Sequence, residues 1–281
     1  MEAITEAVKG MRPARIRAAS VPAPGLARNA RDPEIIDDQL SVMRVEDEQG
    51  QAIATVTNFP CHPEVLWNDN TVITSDFPHF LRERIEEAGG GVAIHFSADL
   101  GGMMTPDVPA HTFAEAQRMG ERLATIALDA LADASPLPVD RIGWWRREFE
   151  VPLANPLLEM AHQLGLIHRH MERRDGRTVI KTSAGLLTLG AMQMLAVPGE
   201  VLPRLGLKLR ALLPGPYRFI IGLANDELGY ILDPSEFHAP EDYFDPGDAY
   251  EESMSIGPDM GTALYDAARS LIEETRREGC I

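Results

Sequence analysis

The chain has 281 residues, 44% hydrophobic and 25% charged, an ordinary globular balance that excludes disorder as a global description. Its net charge of −17, from 43 acids against 26 bases, argues against a nucleic-acid partner and against an anionic membrane surface, since both need clustered Lys and Arg. Two cysteines, Cys61 and Cys280, permit one disulfide but no disulfide framework, and no apolar run approaches the roughly 20 residues of a transmembrane segment.

The chain opens with "MEAITEAVKGM", where Ile4, Val8 and Met11 at helical spacing predict an amphipathic helix rather than a signal peptide. No cap or lead-in strand precedes that helix, so further sequence is expected upstream. "ARIRAAS" alternates as a strand does and is followed by the Pro-, Gly- and Asn-rich connector "VPAPGLARNARDPE". "LSVMRVED" and "AIATVTNF", on either side of "EQGQ", predict a β-hairpin. "SDFPHFLRERIEEAGG" predicts a helix capped by Ser75 or Asp76, with a buried stripe of Phe80, Leu81 and Ile85, stopped by Gly89 to Gly91. "VAIHFSAD" predicts a buried strand running into the glycine pair of "LGGMMTPD".

In the second half, "TFAEAQRMGERLATIALDALADA" predicts a long periodic helix and "RIGWWRREFEVPL" a strand with bulky aromatics. "NPLLEMAHQLGLIHRHMERRDG" begins as a helix and turns irregular, and "TVIKTSAGLLTLGAMQMLAVPGE" predicts a hairpin with a nearly all-apolar second arm. A helix over about 201–213, the buried strand "YRFIIGLAN" and a closing helix "GTALYDAARSLIEETRR" complete the pattern. Helices alternate with strands, several of them apolar throughout. The expectation is a single α/β domain over 1–281 with a mixed, largely buried sheet flanked by helices on both faces.

In such sheets function gathers in loops leaving the carboxyl ends of strands. The loops after "TVTNF", "VAIHFSAD", "MQMLAV" and "FIIGL" carry His62, Gly102 to Asp107, Glu200, and Asn225 to Tyr230. Zinc takes imidazole nitrogen and carboxylate or phenolate oxygen, and a catalytic site keeps one position open. His62, Glu200 and Tyr230 offer such groups just past apolar strands. Each also has a bland alternative: a hydrogen-bonded histidine, a first-turn acid complementing a helix dipole, and an interface aromatic. His95 sits inside an apolar strand as a core residue would, His168 and His170 lie among surface arginines, and His79, His111, His162 and His238 have no distinguishing spacing.

From Phe219 to Ala268 there is no Lys or Arg but at least ten acids, either a solvated loop system or a negative rim around a cation site. No G-x-S-x-G elbow is present, and Cys61 and His62, adjacent on an extended segment, point to opposite faces and make a poor thiol–base pair. Neither G-x-G-x-x-G nor a P-loop pattern occurs.

Four segments in order, "NFPCHPEVLWNDNTVITSDFPHFL", "HFSADLGGMMTPD", "LAVPGEVLPRLGLKLR" and "GLANDELGYILDPSEF…YEES", resemble the neutral/alkaline, non-lysosomal ceramidase family over roughly 1–270. The resemblance implies a zinc-dependent amidase that splits the N-acyl bond of ceramide or another lipid or small-molecule amide, with Zn2+ as cofactor. It places zinc ligands at His62 in the "HP" motif, Glu200 after Pro-Gly, and Tyr230. It places a hydroxyl donor to the reacting oxygen at Tyr250, and a small hydroxyl residue before proline at Thr105. The "GMMTP" segment departs from the family pattern, with Met103 in an acidic position and Thr in place of Ser. The family's further ligand, from an "HTHSGPGG"-type segment, has no counterpart, because no histidine precedes His62. The resemblance therefore also implies that the chain matches the C-terminal part of a larger catalytic domain, or is a metal-free remnant acting as an interaction domain.

Overall fold

Residues 2–279 are described by the computed structural model. The chain begins with α1 (Glu2–Lys9), β1 (Ala14–Pro22), β2 (Ala27–Asn29), β3 (Gln39–Asp47) and β4 (Ala52–Phe59), then α2 (Phe77–Glu87), β5 (Val92–Ser97) and β6 (Met104–Pro106). The long α3 (Phe113–Ala132) leads to β7 (Pro136–Leu137), β8 (Ile142–Pro152), α4 (Pro156–Gln163), β9 (Glu172–Arg174), β10 (Arg177–Leu189) and β11 (Met192–Ala196). β12 (Glu200–Val201), α5 (Pro203–Leu212), β13 (Tyr217–Ile221), β14 (Tyr230–Ile231), α6 (Tyr250–Ser253) and α7 (Asp259–Arg277) follow.

The expected mixed α/β architecture is present, with its strands divided between two sheets. One runs β5–β4–β3–β1–β7, the other β13–β11–β10–β8 with β9 added against β10. Only β4–β5 and β11–β13 are parallel within these sheets; the other pairings are antiparallel and include the two hairpins expected from sequence, β3–β4 and β10–β11. Helices α2 and α3 bury Phe77, Leu81, Met119 and Leu123 against the first sheet's Leu40, Val42 and Phe59. Helices α5 and α7 bury Leu205, Leu209, Leu264 and Leu271 against Leu186, Leu195 and Ile220 of the second. Ala18, Met43 and Val56 of the first sheet meet Met192 and Phe219 of the second, so the opposite faces pack on each other. The result is a helix–sheet–sheet–helix stack, each sheet carrying helices on one face and the other sheet on its second.

Polar side chains in the middle of this stack have a defined task. β13 is an edge strand whose free backbone groups would be costly to bury unpaired. Asn58 donates to the Ile220 carbonyl at 2.8 Å and accepts from its N–H at 3.2 Å, while Ser41 and Gln39 donate to the Arg218 carbonyl at 2.8 and 3.0 Å. Side chains of the first sheet thus cap the edge of the second.

Two local expectations change. β5 is an edge strand with Val92, Ile94 and Phe96 exposed, not a fully buried one; its core-facing side holds Ala93 and the largely enclosed His95. The α1 stripe of Ile4, Val8 and Met11 is helical but exposed, and none of the helix is buried. Cys61 is a free, buried thiol whose pKa burial pushes well up, which agrees with its rejection as a nucleophile. Cys280 lies outside the described residues.

Candidate active site

The carboxyl ends of β4, β5, β13 and β11 are joined edge to edge. Ala98 N–H donates to Phe59 O at 3.1 Å, Gly222 N–H to Ser97 O at 3.1 Å, and Val197 N–H to Ile221 O at 3.0 Å. All four loops singled out in the sequence therefore leave from one rim of the molecule.

His62 is fixed from both sides in the chain. Its N–H donates to the Met104 carbonyl at 2.8 Å. The turn after it is anchored by the buried Asp76 carboxylate, which accepts from Val65 and Leu66 N–H at 3.0 Å and from Phe77 N–H at 2.8 Å as the α2 cap. Of the two cap candidates, Asp76 is the one used. Glu200 and Tyr230 face each other in the parallel β12–β14 pair, so their side chains leave the same face. Glu200 N–H donates to Gly229 O at 2.9 Å, and Gly101 N–H donates to Val201 O at 3.0 Å on the other side of β12. Only a glycine allows that approach: a Cβ on Gly101 would stand 2.6 Å from the Glu200 carbonyl oxygen.

These elements bring His62 Nε2 to 3.4 Å from Glu200 Oε2, across 138 positions of sequence. Both atoms are buried and neither has a hydrogen-bond partner. Burial pushes the His62 pKa down, opposed by the Glu64 carboxylate and the Leu100 backbone. Burial pushes Glu200 up to about 7, helped by Glu227 and Glu64 and opposed by the Tyr230 hydroxyl. Tyr230 is raised in turn, by burial first and by Glu200 next. Its hydroxyl lies 3.9 Å from Met103 Sδ, and Tyr250 packs edge-on against it with ring centroids 5.8 Å apart. Tyr250 is half exposed on α6. Thr105 is buried on β6, opposite Arg28 of β2, and joins the cluster only through the neighbouring Met104 carbonyl that His62 uses.

An imidazole nitrogen and a carboxylate oxygen that are buried, without a hydrogen-bond partner and facing each other suit a cation, and the phenol beside them adds a third donor. Among the described residues, no group of three or more His, Cys, Asp or Glu side chains is placed to hold a metal ion, so a ligand set drawn from the side chains as they stand needs the tyrosine. Strained backbone surrounds the cluster. Trp67, Asp76, Met103, Leu223 and Asn225 all adopt positive φ, and all lie on the loops around it.

Next to the cluster opens a cleft of about 620 Å³ bounded by Glu64, Trp67, Val72, Ile73 and Met103. Trp67 stacks on His111 at 5.3 Å, and His111 Nδ1 donates to the Val65 carbonyl at 2.8 Å. Sequence reasoning missed Trp67, His111 and Glu64 as site residues. The only available signal was the acid two places after His62. His95 is confirmed in the core, 3.0 Å from Thr57 Oγ1 and edge-on to Phe77, with its pKa lowered by burial to about 4.

No protein-family model matches the chain, and no curated protein matches it by sequence. Solved structures do match. A crystal structure of neutral ceramidase from Pseudomonas aeruginosa superposes with a TM-score of 0.74 at 18% identity, over 97% of this chain and 54% of that one. A ceramidase complexed with C2 superposes with a TM-score of 0.69 at 17% identity, over 94% of this chain and 54% of that one. The chain spans about half the length of these neighbours. Over the part it spans, it has the neutral ceramidase fold.

Proposed function

We propose that this chain is a zinc-dependent hydrolase of linear amide bonds, acting on N-acylsphingosine or another N-acyl substrate. The observation that carries the reading is the His62–Glu200 pair: two buried atoms without a hydrogen-bond partner, 3.4 Å apart, supplied by the loop after β4 and by β12 on a ceramidase-type fold. His62, Glu200 and Tyr230 would hold the zinc. When bound, zinc would supply Lewis acidity towards a carbonyl and bring the pKa of water down towards neutrality.

The remaining work belongs to the chain. Desolvation pushes the His62 pKa down, which favours the neutral imidazole that a metal takes as ligand. Tyr250, held against Tyr230 but open to solvent, donates its hydroxyl to the substrate's carbonyl oxygen as negative charge develops there, a contact worth roughly 3 kcal/mol in such sites. The cleft walled by Trp67, Met103 and Glu64 binds the acyl or amine side of the substrate beside the reacting bond.

One observation favours the rival reading of a metal-free interaction domain: no three His, Cys, Asp or Glu side chains among the described residues are placed to hold an ion. A panel of fluorogenic N-acyl amides, including a ceramide analogue, separates the two. Turnover of at least one amide, abolished by a chelator, restored by zinc and lost in Glu200→Gln, is expected. A zinc-reconstituted protein that hydrolyses none of them supports the interaction domain.

A further inference from the structure

Met103 joins the large cleft to the candidate site. Its sulfur lies 3.9 Å from the Tyr230 hydroxyl, and its side chain also lines the opening beside Trp67. The backbone makes a second connection. Glu64 N–H donates to the His62 carbonyl at 2.9 Å and Trp67 N–H to the Glu64 carbonyl at 3.1 Å, so two turns lead from the imidazole to the indole. Trp67 is 40% exposed and has φ of 55°, a conformation that bulky side chains rarely adopt. Neighbouring bonds hold it there. Asp76 accepts from Val65 and Leu66 N–H, and His111 Nδ1 donates to the Val65 carbonyl at 2.8 Å. The His111 ring lies against the indole, with centroids 5.3 Å apart and planes at 27°. One face of the indole is thereby covered, while the residue still lines the cleft with Leu66, Val72, Ile73 and Met103. Among the described residues, no Lys or Arg lines it, whereas Glu64 and Asp76 do.

We propose that Trp67 is a specificity-determining residue for the hydrolase reading above, on which the proposal rests, and that His111 is its positioning residue. An amide held at His62, Glu200 and Tyr230 extends one arm past Met103 into the cleft, where an uncharged apolar arm is selected, aryl before alkyl. An aryl ring stacks on the open face of the indole. An alkyl chain gains only the buried area, and a carboxylate meets Glu64 and Asp76 without a counter-charge. His111 acts through Trp67: it fixes the ring's plane and supports a strained backbone that the cleft needs in that conformation.

The test is calorimetric titration of the metal-stripped full chain with three primary amides: phenylbutanamide, heptanamide and glutaramate, which ends in a carboxylate. It is run on the wild type, Trp67→Ala, Trp67→Phe, His111→Ala and His111→Phe, with a melting temperature for each. The wild type is expected to bind the phenyl amide most tightly, heptanamide next, and glutaramate about tenfold or more weaker than the phenyl amide. Trp67→Ala is expected to lose about tenfold for the phenyl amide, and Trp67→Phe to keep most of that affinity. His111→Ala is expected to weaken the phenyl amide too, and His111→Phe, which returns a ring to the stack, to restore it. Unchanged affinity in a folded Trp67→Ala, or a wild type that binds no apolar amide, overturns the proposal. Equal losses in His111→Ala and His111→Phe overturn positioning through the stack. Apolar amides bound through Trp67, with no N-acyl amide turned over by the zinc-reconstituted chain, support the cleft and overturn the hydrolase reading.

Discussion

Asp226 illustrates how the long acidic segment is tolerated. The stretch from Phe219 to Ala268 carries no base of its own, yet cations from elsewhere in the chain meet its acids. Arg169 pairs with Asp226, Lys208 with Asp233, Arg204 with Glu236, and Arg31 with Glu251 and Glu252. The segment is therefore stapled to the body, and Glu227 is the member that adds negative field at Glu200. Burial alone would raise the Asp226 pKa. The two Arg169 hydrogen bonds at 2.6 and 2.7 Å, with Thr182 and the Glu227 N–H, more than offset it and hold the carboxyl below its ordinary value. A depressed pKa stabilises the fold above the unfolded value of about 3.9, and that stability is lost as pH falls through the folded value. Asp226→Asn should thus cost about 1 kcal/mol at pH 7 and progressively less towards pH 3. Urea denaturation of both proteins across that range measures the difference, and a pH-independent gap would contradict the ion-pair assignment.

At the scale of elements, periodicity made most of the secondary structure legible. The hairpins β3–β4 and β10–β11, the Asp76-capped α2 and the long α3 all follow from alternation, turn residues and caps visible in the sequence. The exposure of β5 was not visible. Val92, Ile94 and Phe96 are as apolar as core residues, and only the strand's edge position decides which face is covered. The pairing of Glu200 with Tyr230 was likewise hidden, since two-residue strands leave no pattern. That register depends on Gly229, which has φ of 71° and whose Cβ would run into the Met254 carbonyl. Gly229→Ala should lower stability by about 2 kcal/mol or more, through strain and the displaced carbonyl together. A thermal melt checks the cost. A melting temperature within a degree of wild type would show that this turn is not under the constraint described.

Across the whole molecule, the two-sheet stack is tied together by charge as well as by its core. Arg210 of α5, on the second sheet, is buried and bonds Asp37 from the loop before β3 at 2.6 Å and Asp99 from the loop after β5 at 3.1 Å. Burial and the neighbouring Asp37 push Asp99 well up. This triad lies outside the set of candidate residues, because nothing in sequence links three isolated charges before the sheets are placed. Arg210→Met strands two carboxylates in the interior and should cost about 3 kcal/mol or more, read as a lower urea midpoint with the slope unchanged. A smaller loss would mean the two halves are held by packing alone.

The division into two sheets escaped the sequence for a related reason. Apolar strands state that they are buried, not against which partner. The site was more accessible. Ordered motifs pointed to His62, Glu200 and Tyr230, and the strand ends do bring these together, with Tyr250 against Tyr230. Thr105 is buried on β6, paired with β2, and Glu64 had no motif to announce it.

Anomalous diffraction from a zinc-soaked crystal of the full chain is the most direct measurement of the central claim. The expected result is a single strong zinc peak between His62 Nε2, Glu200 and the Tyr230 hydroxyl, absent from His62→Ala crystals grown and soaked alike. A wild-type map with no peak there, or with zinc bound only elsewhere on the surface, would contradict it.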